Sequence, residues 1–353
     1  MKSVLCLRNL ALIGGCLLGN VWADSPVDRQ SKLRLVSSDF GLADGPSWTG
    51  WSLLVPDVKG QVVKRFVPAK NDWQVVLKGE DRISATFFSH GQLWLANNSA
   101  ARVDVRAATS LRAKPRRVIT IDASDKPQKR PNDLVVDQHG GVYFTLTKQN
   151  QVVYVNAEGQ SSVVTSDVIT PNGITLSPDQ RFLYVAAYRP KKIIRLAITS
   201  PGVAGQSSQF AVMDDGEALG ADGMTIDRAG NVYCAGATDV WIWSPSGELL
   251  DRIACPTRPI NCTFGGRQMR TLYITGFGGL YEQAMTVCGV SPEPVADIEL
   301  MPQGSTPSTV LPEEVTGRRN VVYARYGERR LLLDLFQPRS AAAPRPALVV
   351  VRR

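Results

Sequence analysis

A short motif recurs six times along most of the chain, and its spacing limits the folds that the chain can adopt. Each copy is a turn followed by a run of apolar or aromatic residues. The aligned positions, which lie 40, 49, 41, 49 and 40 residues apart, are Leu54, Trp94, Tyr143, Tyr184, Tyr233 and Tyr273. A repeat of this length is too long for a leucine-rich repeat and is typical of the four-stranded blade of a β-propeller.

The gaps between the copies contain further strand-like segments. Residues such as Gln151–Val155 and Lys192–Ile198 alternate or run apolar over five to seven positions, as strands do. A large β-sandwich is the competing fold, but a sandwich does not produce so regular a repeat. We therefore predict an all-β chain: a six-bladed β-propeller over residues 24–300, with ring closure by a strand from residues 32–37.

The two ends of the chain differ from this body. Lys2, Arg8 and the apolar run Leu10–Leu18 precede Val21-Trp22-Ala23, which predicts a cleaved signal peptide over residues 1–23 and an exported protein, periplasmic or secreted. Acylation at Cys16 as a lipoprotein is the alternative. The apolar run is too short to span a bilayer, so no transmembrane segment is expected.

Charge does not indicate a nucleic-acid partner. The net charge of +8 includes two cations in the signal segment and a surplus of +7 in residues 315–353, so residues 24–314 carry about −1. The cysteines left after the signal are Cys234, Cys255, Cys262 and Cys288. Their even number permits disulfides in an exported protein, and buried free thiols are the equal alternative. Oligomeric state is not predicted.

A polar residue opens an apolar segment ahead of each copy of the repeat. These positions, spaced 40, 48, 40, 50 and 39 residues apart, are Asp44, Ser84, Asn132, Asn172, Asp222 and Asn261. Because the innermost strand of each blade runs along the central channel, one residue per blade at its start forms a ring. Carboxylate and amide oxygens are ligands for hard cations such as Ca²⁺ or Mg²⁺. An Asx-Gly turn into a strand explains any single copy equally well.

Other catalytic constellations are missing from the sequence. His90 and His139 are the only histidines and have no partner at ligand spacing, which disfavours a zinc site. There is no GxSxG elbow and no phosphate-binding glycine loop.

The opening segments also resemble those of the regucalcin/gluconolactonase (senescence marker protein-like) family over about residues 34–300. The segments that carry the resemblance are Gly41–Trp48, Arg130–Asp133, Pro171–Gly173, Ala221–Met224 and Asn261–Gly266. The resemblance implies a six-bladed propeller with one divalent metal, Ca²⁺ first and Mg²⁺, Mn²⁺ or Zn²⁺ as alternatives. It implies hydrolysis of a small-molecule lactone or ester.

Residue roles follow from the same resemblance. Asp44, Asn172 and Asp222 would hold the metal. Asp222 would also act as general base, and Asn132 would contact the substrate. Ser84 and Asn261, the remaining members of the ring, are further candidates for substrate contact.

Two departures from the family pattern motivate a second hypothesis. The first metal ligand is usually Glu, whereas Asp44 is one methylene shorter. The family often has Asp after the Tyr-Val of the fourth copy, where this chain has Ala186-Ala187-Tyr188. The second hypothesis is therefore a non-catalytic, metal-containing propeller that binds a ligand or partner.

The C-terminal region reads as a separate element. Residues 301–314 form a linker rich in Pro, Ser and Thr, and three strand-like segments follow within residues 315–353. Their order resembles the opening of an esterase/lipase-type α/β-hydrolase that stops before the oxyanion loop. We expect this β-rich stub to lack esterase activity, because it has no nucleophile and no triad histidine.

Overall fold

The computed structural model describes residues 25–79, 82–107, 110–121, 129–214, 216, 220–291, 315–326, 329–338 and 348–352. The predicted signal peptide, residues 1–23, and the predicted linker, residues 301–314, lie outside this description. The chain divides into two compact units, residues 1–295 and residues 296–353. In the described part of the chain, no helix is long and apolar enough to cross a membrane.

The first unit consists of six four-stranded antiparallel sheets. In chain order, the strands of its first half are β1 (Arg34–Ser37), β2 (Ser47–Trp48), β3 (Leu53–Asp57), β4 (Val62–Val67), β5 (Asp72–Lys78), β6 (Ile83–Ser89), β7 (Gln92–Asn97), β8 (Arg102–Ala107), β9 (Arg117–Thr120), β10 (Leu134–Val136), β11 (Val142–Leu146), β12 (Gln151–Val155) and β13 (Ser161–Thr165). Those of the second half are β14 (Pro171–Leu176), β15 (Phe182–Ala187), β16 (Lys192–Ser200), β17 (Val203–Val212), β18 (Met224–Ile226), β19 (Val232–Ala235), β20 (Asp239–Trp243), β21 (Leu249–Ala254), β22 (Pro259–Gly265), β23 (Thr271–Gly276) and β24 (Gly279–Ala284). Short 3-10 helices occupy Pro68–Lys70, Thr147–Gln149 and Arg267–Met269.

The six sheets are the blades of a propeller. Their innermost strands contact their neighbours in a closed ring, in the order β2, β6, β10, β14, β18, β22 and back to β2. The sixth blade combines β22, β23 and β24 with β1, which pairs with β24 through Arg34 opposite Glu282 and Leu35 opposite Tyr281. The strand expected from residues 32–37 is therefore confirmed, and it joins the first and last parts of the unit.

The repeat marks the same place in every blade. Its six aligned positions lie in the second strand of each blade and are at most 3% exposed. Each pairs with one residue of the innermost strand; these partners, in blade order, are Ser47, Phe87, Val135, Thr175, Thr225 and Thr263. The repeat is thus a packing signal: it places a large side chain in the core of each blade.

Aromatic side chains also link one blade to the next. Trp48 of the first blade stacks on Tyr273 of the sixth, with ring centroids 6.0 Å apart. Tyr143 of the third blade accepts a hydrogen bond from the backbone N–H of Gly202 in the fourth, at 2.7 Å. A buried Tyr hydroxyl needs such a partner, so these contacts fix neighbouring blades in register.

Among the described residues of the first unit, Cys234, Cys255, Cys262 and Cys288 are free thiols, and Cys234 and Cys262 are buried. The alternative of disulfides is therefore not realised in this structure. The second unit contains three antiparallel strands, β25 (Val315–Tyr326), β26 (Arg329–Pro338) and β27 (Leu348–Arg352), in that spatial order. They cover the three segments for which strands were predicted.

The pairing of β1 with β24 predicts opposite effects for two truncations. Deletion of residues 315–353 should change the Tm of the propeller by less than about 2 °C, because β1 already closes the ring. Deletion of residues 24–37 should lower the Tm by roughly 10 °C or more, because it exposes the edge of β24. Thermal denaturation followed by circular dichroism measures both. Loss of folding in the tail deletion would contradict this account.

Candidate functional site

The site lies where the six innermost strands begin. In five blades, the predicted ring residue stands three positions before the innermost-strand residue that pairs with the aligned position of the repeat. These five residues are Asp44, Ser84, Asn132, Asn172 and Asp222. Equivalent positions on strands of one ring lie at the same level of the channel. The structure therefore brings carboxylates from the first and fifth blades together with amides from the third and fourth, as the sequence predicts.

The prediction for the sixth blade, Asn261, is wrong by one position in the register. Asn261 stands only two residues before its strand's paired residue, Thr263, because Ile260 is the extra residue of a bulge between Pro259 and Asn261. In the second blade, Ser84 is the extra residue of the corresponding bulge. The register equivalent of Ser84 is therefore Ile260, which is buried and apolar. Spacing does not reveal this shift, because the register equivalent Ile260 is 38 residues after Asp222 and Asn261 is 39 residues after it.

Asn261 instead belongs to a second layer, one residue further along each strand. Its equivalent in the third blade is Asp133, which sequence reasoning treated only as part of a motif. The Nδ2 of Asn261 donates to Oδ2 of Asp133 at 3.2 Å. Because the third and sixth blades are opposite in a ring of six, this bond crosses the channel.

The other four positions of the second layer are the small residues Gly45, Ala85, Gly173 and Gly223. A Cβ atom at Gly223 would lie 2.0 Å from Cγ of Asn261, and one at Gly173 would lie 2.2 Å from the carbonyl oxygen of Asp222. The Asx-Gly pattern therefore does more than form turns: Gly223 leaves space for the side chain of Asn261, and Gly173 allows the close approach of the Asp222 backbone.

Burial and mutual repulsion act on three carboxyl groups here. Burial raises the pKa of Asp44 well above its usual range, and the charges of Asp222 and Asp133 raise it further. Burial also raises the pKa of Asp133 to about 7. The pKa of Asp222 is likewise raised to about 7, mainly by burial, although the positive charge of Arg258 opposes the rise. The three groups thus share one electrostatic field.

Hydrogen bonds orient these carboxylates. The backbone N–H of Gly45 donates to Oδ1 of Asp44 at 2.7 Å, and that of Leu134 donates to Oδ1 of Asp133 at 2.8 Å. The amide of Asn261 also contacts Asp44, and the amide of Asn172 contacts Asp222. The predicted metal ligands Asp44, Asn172 and Asp222 are therefore joined, through Asn261 and Asp133, into one polar cluster.

Arg258 is a site residue that sequence reasoning missed. Its Nη2 donates to Oδ2 of Asp222 at 3.0 Å and to the hydroxyl of Tyr188 at 2.8 Å. It comes two residues before Ile260, in the segment that enters β22, so a search for basic residues just before each ring position would have found it.

Ser84 and Asn132 are placed differently from each other. The Oγ of Ser84 donates to the backbone oxygen of Asn132 at 2.6 Å and so ties the second blade to the third. The side chain of Asn132 is partly exposed and has no hydrogen-bond partner among the described residues. Its amide is therefore available to a ligand, whereas the hydroxyl of Ser84 is already used within the protein.

The donor set fits a divalent cation in its chemistry and charge. Asp44, Asp133 and Asp222 carry −3 when ionised, and Arg258 supplies +1, which leaves −2 around one axis. Amide and carboxylate oxygens are the ligands that Ca²⁺ and Mg²⁺ prefer. Within the described ranges, however, no three His, Cys, Asp or Glu side chains approach at metal-ligand spacing. The fit therefore requires the amide oxygen of Asn172 beside two carboxylates.

A cavity of about 270 Å³ occupies the opposite part of the channel. Its walls include Trp48, Phe87, Thr175, Thr225 and Thr263, all on the innermost strands beyond the second layer. None of the six predicted ring residues lines it. The bond between Asp133 and Asn261 lies between this cavity and the ring.

Comparison with known proteins identifies related sequences. The family described as SMP-30/Gluconolactonase/LRE-like region matches residues 42–277. A gluconolactonase of Zymomonas mobilis is 26% identical over an alignment of 309 positions, which covers 74% of this chain and 85% of that protein. A 6-deoxy-6-sulfogluconolactonase of Pseudomonas putida is 34% identical over 128 residues, 35% of this chain and 44% of that protein.

Solved structures share the fold. A gluconolactonase from Xanthomonas campestris superposes with a TM-score of 0.64 at 22% identity, over 74% of this chain and 91% of that one. The calcium-binding protein regucalcin from Agrobacterium tumefaciens gives 0.63 at 18% identity, over 73% and 95%. At these identities the likeness establishes the six-bladed architecture.

The raised pKa values predict how stability depends on pH. The pKa of Asp133 and that of Asp222 are about 7 in the folded protein, against about 4 in an unfolded chain. Stability from the protonated forms is therefore present below pH ~4 and is lost as the pH rises through 7. In a chelator, the Tm should fall by roughly 5 °C between pH 5 and pH 8. Saturating Ca²⁺ should remove most of that fall.

Scanning calorimetry at four pH values, with EDTA or with Ca²⁺, measures this effect. The exposed Asp167→Asn variant is the control, and its pH profile should match that of the wild type. A Tm in EDTA that stays level or rises from pH 5 to pH 8 would show that ionisation of these carboxyl groups does not destabilise the folded protein.

Proposed function

Because the chain belongs to the SMP-30/gluconolactonase/LRE-like family, we propose that it hydrolyses sugar lactones with the help of a divalent cation bound at the channel mouth. The observation that carries the proposal is the polar cluster itself. It combines carboxylates and amides from five of the six blades around one axis, with a partly exposed Asn132 beside it. A relative that covers 74% of this chain bears the name gluconolactonase.

Asp44, Asn172 and Asp222 would hold the cation. Ca²⁺ is the first candidate because the donors are all oxygens and because flexible mixed carboxylate–amide sites suit it; Mg²⁺, Mn²⁺ and Zn²⁺ are the alternatives. A cation there would polarise the lactone carbonyl and lower the pKa of a neighbouring water. The backbone N–H of Gly45 orients the carboxylate of Asp44, whose side chain is one methylene shorter than that of Glu.

The residues around the cation would perform the proton transfers and the orientation. The carboxylate of Asp222 would accept a proton from the attacking water, whose oxygen forms a bond to the carbonyl carbon. The ring C–O bond then breaks, and the proton passes to the leaving ring oxygen, which yields the open-chain hydroxy acid. The free amide of Asn132 would donate a hydrogen bond to the substrate oxygen that becomes negatively charged.

Substrate contact by Ser84 and Asn261 remains a prediction. The hydroxyl of Ser84 and the amide of Asn261 both make hydrogen bonds within the protein. Sugar lactones are the proposed substrates, and related esters are the second class, since both present a carbonyl with an alkoxide leaving group.

A non-catalytic binding propeller is the second candidate. The bond between Asp133 and Asn261 favours it, because this bond crosses the channel just beyond the ring and resembles a structural tie. Calorimetric binding of a cation without turnover of any lactone would decide for this candidate.

The ends of the chain support two further proposals. Residues 1–23 carry the pattern of an export signal, so we place the protein in the periplasm or outside the cell, with acylation at Cys16 as the alternative. The antiparallel strands β25, β26 and β27 support an origin of the C-terminal unit in an esterase/lipase-type α/β-hydrolase.

A substrate screen tests the leading proposal. Purified protein should open D-glucono-1,5-lactone or another aldonolactone in the presence of Ca²⁺, Mg²⁺, Mn²⁺ or Zn²⁺, and EDTA should lower the rate by at least about 100-fold. A pH indicator that follows acid release measures the rate against spontaneous hydrolysis. Inactivity on aldonolactones and aryl esters with all four metals would refute the proposal.

Two substitutions separate cation binding from substrate binding. Asp222→Ala should abolish both cation binding and turnover, because it deletes a charged ligand and the proposed base. Asn132→Ala should lower kcat by about 10- to 1,000-fold with little change in cation affinity, because it removes only a substrate hydrogen bond. Calorimetry and steady-state kinetics measure the two effects, with Asp167→Ala as an exposed control. Wild-type cation affinity in Asp222→Ala would show that the ligands are misassigned.

A further inference from the structure

Arg258 stands beside the reacting part of the site, and its contacts are unusual for a structural counter-ion. A single nitrogen, Nη2, makes both of its hydrogen bonds, to Asp222 and to Tyr188. The guanidinium carbon also lies 5.7 Å from the ring centroid of Tyr188 and 6.0 Å from that of Phe277. Both rings therefore lie within cation–π distance of the guanidinium.

The backbone of Arg258 is also fixed. Pro259 follows it, which confines Arg258 to extended conformations, and Pro259 pairs with Gly276 of β23. A Cβ atom at Gly276 would lie 2.5 Å from the carbonyl oxygen of Arg258, so this approach depends on glycine. A long side chain is thus preorganised before any ligand arrives.

The remaining donors of this guanidinium lack acceptors. Its Nε is buried and has no hydrogen-bond partner, and no bond to Nη1 occurs among the described residues. A charged donor that is buried without a hydrogen-bond acceptor lowers the stability of the folded protein. Because Nη1 lies on the side of the guanidinium away from the Nε–H, a carboxylate would accept a hydrogen bond from Nη1 while Nη2 stays bonded to Asp222.

A second cation lies next to this one. The Nζ of Lys59, in the turn between β3 and β4, is 5.4 Å from the ring centroid of Phe277, the same ring that contacts Arg258. Phe277 is 38% exposed, so this pair of cations borders solvent. The carboxylates of Asp44, Asp133 and Asp222 would repel an anionic substrate, and the two cations offset that repulsion on one side.

We infer that Arg258 is a specificity-determining residue that binds a carboxylate carried by the lactone outside its ring. The inference rests on the proposed lactonase activity and narrows its substrate class to acidic sugar lactones. Sugar acids with a second carboxyl group, once lactonised, have this chemistry. The alternative is that Arg258 acts only as a counter-ion that orients Asp222 and makes no contact with the substrate.

Two lactones that differ in one group distinguish these roles. D-glucaro-1,4-lactone carries a free carboxylate where D-glucono-1,4-lactone has a hydroxymethyl group. The wild type should prefer the carboxylate lactone in kcat/KM. Arg258→Met should lower kcat/KM for the carboxylate lactone about 10- to 100-fold more than for the neutral one, mainly through KM. The kcat/KM of Arg258→Lys for the carboxylate lactone should lie between those of the wild type and Arg258→Met.

Arg189→Met is the matched control, since Arg189 is an exposed cation next to Tyr188 and its side chain makes no bond to Asp222. It should leave the ratio of the two kcat/KM values unchanged. Equal losses on both lactones in Arg258→Met would overturn the inference and assign Arg258 to Asp222 alone. A wild type without preference for the carboxylate lactone would also overturn it.

A binding measurement separates this inference from the proposed activity. Calorimetric titration should show that Arg258→Met binds D-glucarate at least about tenfold more weakly than the wild type does. Arg189→Met should bind it with wild-type affinity. A wild type that opens neither lactone would refute the proposed activity. Loss of glucarate affinity in Arg258→Met would even then support the anion site, and unchanged affinity would refute it.

Discussion

The burial of three carboxyl groups around one axis is the constraint on which the rest of the site depends. Asp133 and Asp222 are buried and Asp44 is half-buried, so each loses solvent that would stabilise its charge, and the charge of Asp133 raises the pKa of both Asp44 and Asp222. One guanidinium cannot balance them. The carboxyl groups must therefore either be protonated or bind a cation. Oxygen donors from several strands can share a divalent cation.

The propeller makes this arrangement possible because each blade contributes one strand to the channel. Large side chains such as Tyr143 and Tyr233 fill the core of each blade, and β1 closes the ring against β24. The innermost strands are thereby fixed at their starts. Polar residues at these starts converge without any local sequence contact between them, which is why residues more than a hundred positions apart, such as Asp133 and Asn261, can form a hydrogen bond.

The sequence predicted the six blades and the closing strand, because packing repeats every blade and a period of 40 to 49 residues is visible in the chain. It also predicted five of the six ring positions. It failed at Asn261, because a one-residue bulge shifts register and spacing alone cannot show which residue is displaced. Asp133 and Arg258 were missed because their importance comes from contacts between blades. The position of Arg258 just before the ring marks it as a basic residue near the site but does not show that it reaches Asp222.

The central claim is that Asp44, Asn172 and Asp222 together bind a divalent cation at the channel mouth. Crystals grown with Mn²⁺ and measured near its absorption edge test this most directly. The account predicts one anomalous peak on the channel axis, with an oxygen of each of these three residues within about 2.6 Å. An empty channel at saturating Mn²⁺, or a peak bound by other residues, would contradict it.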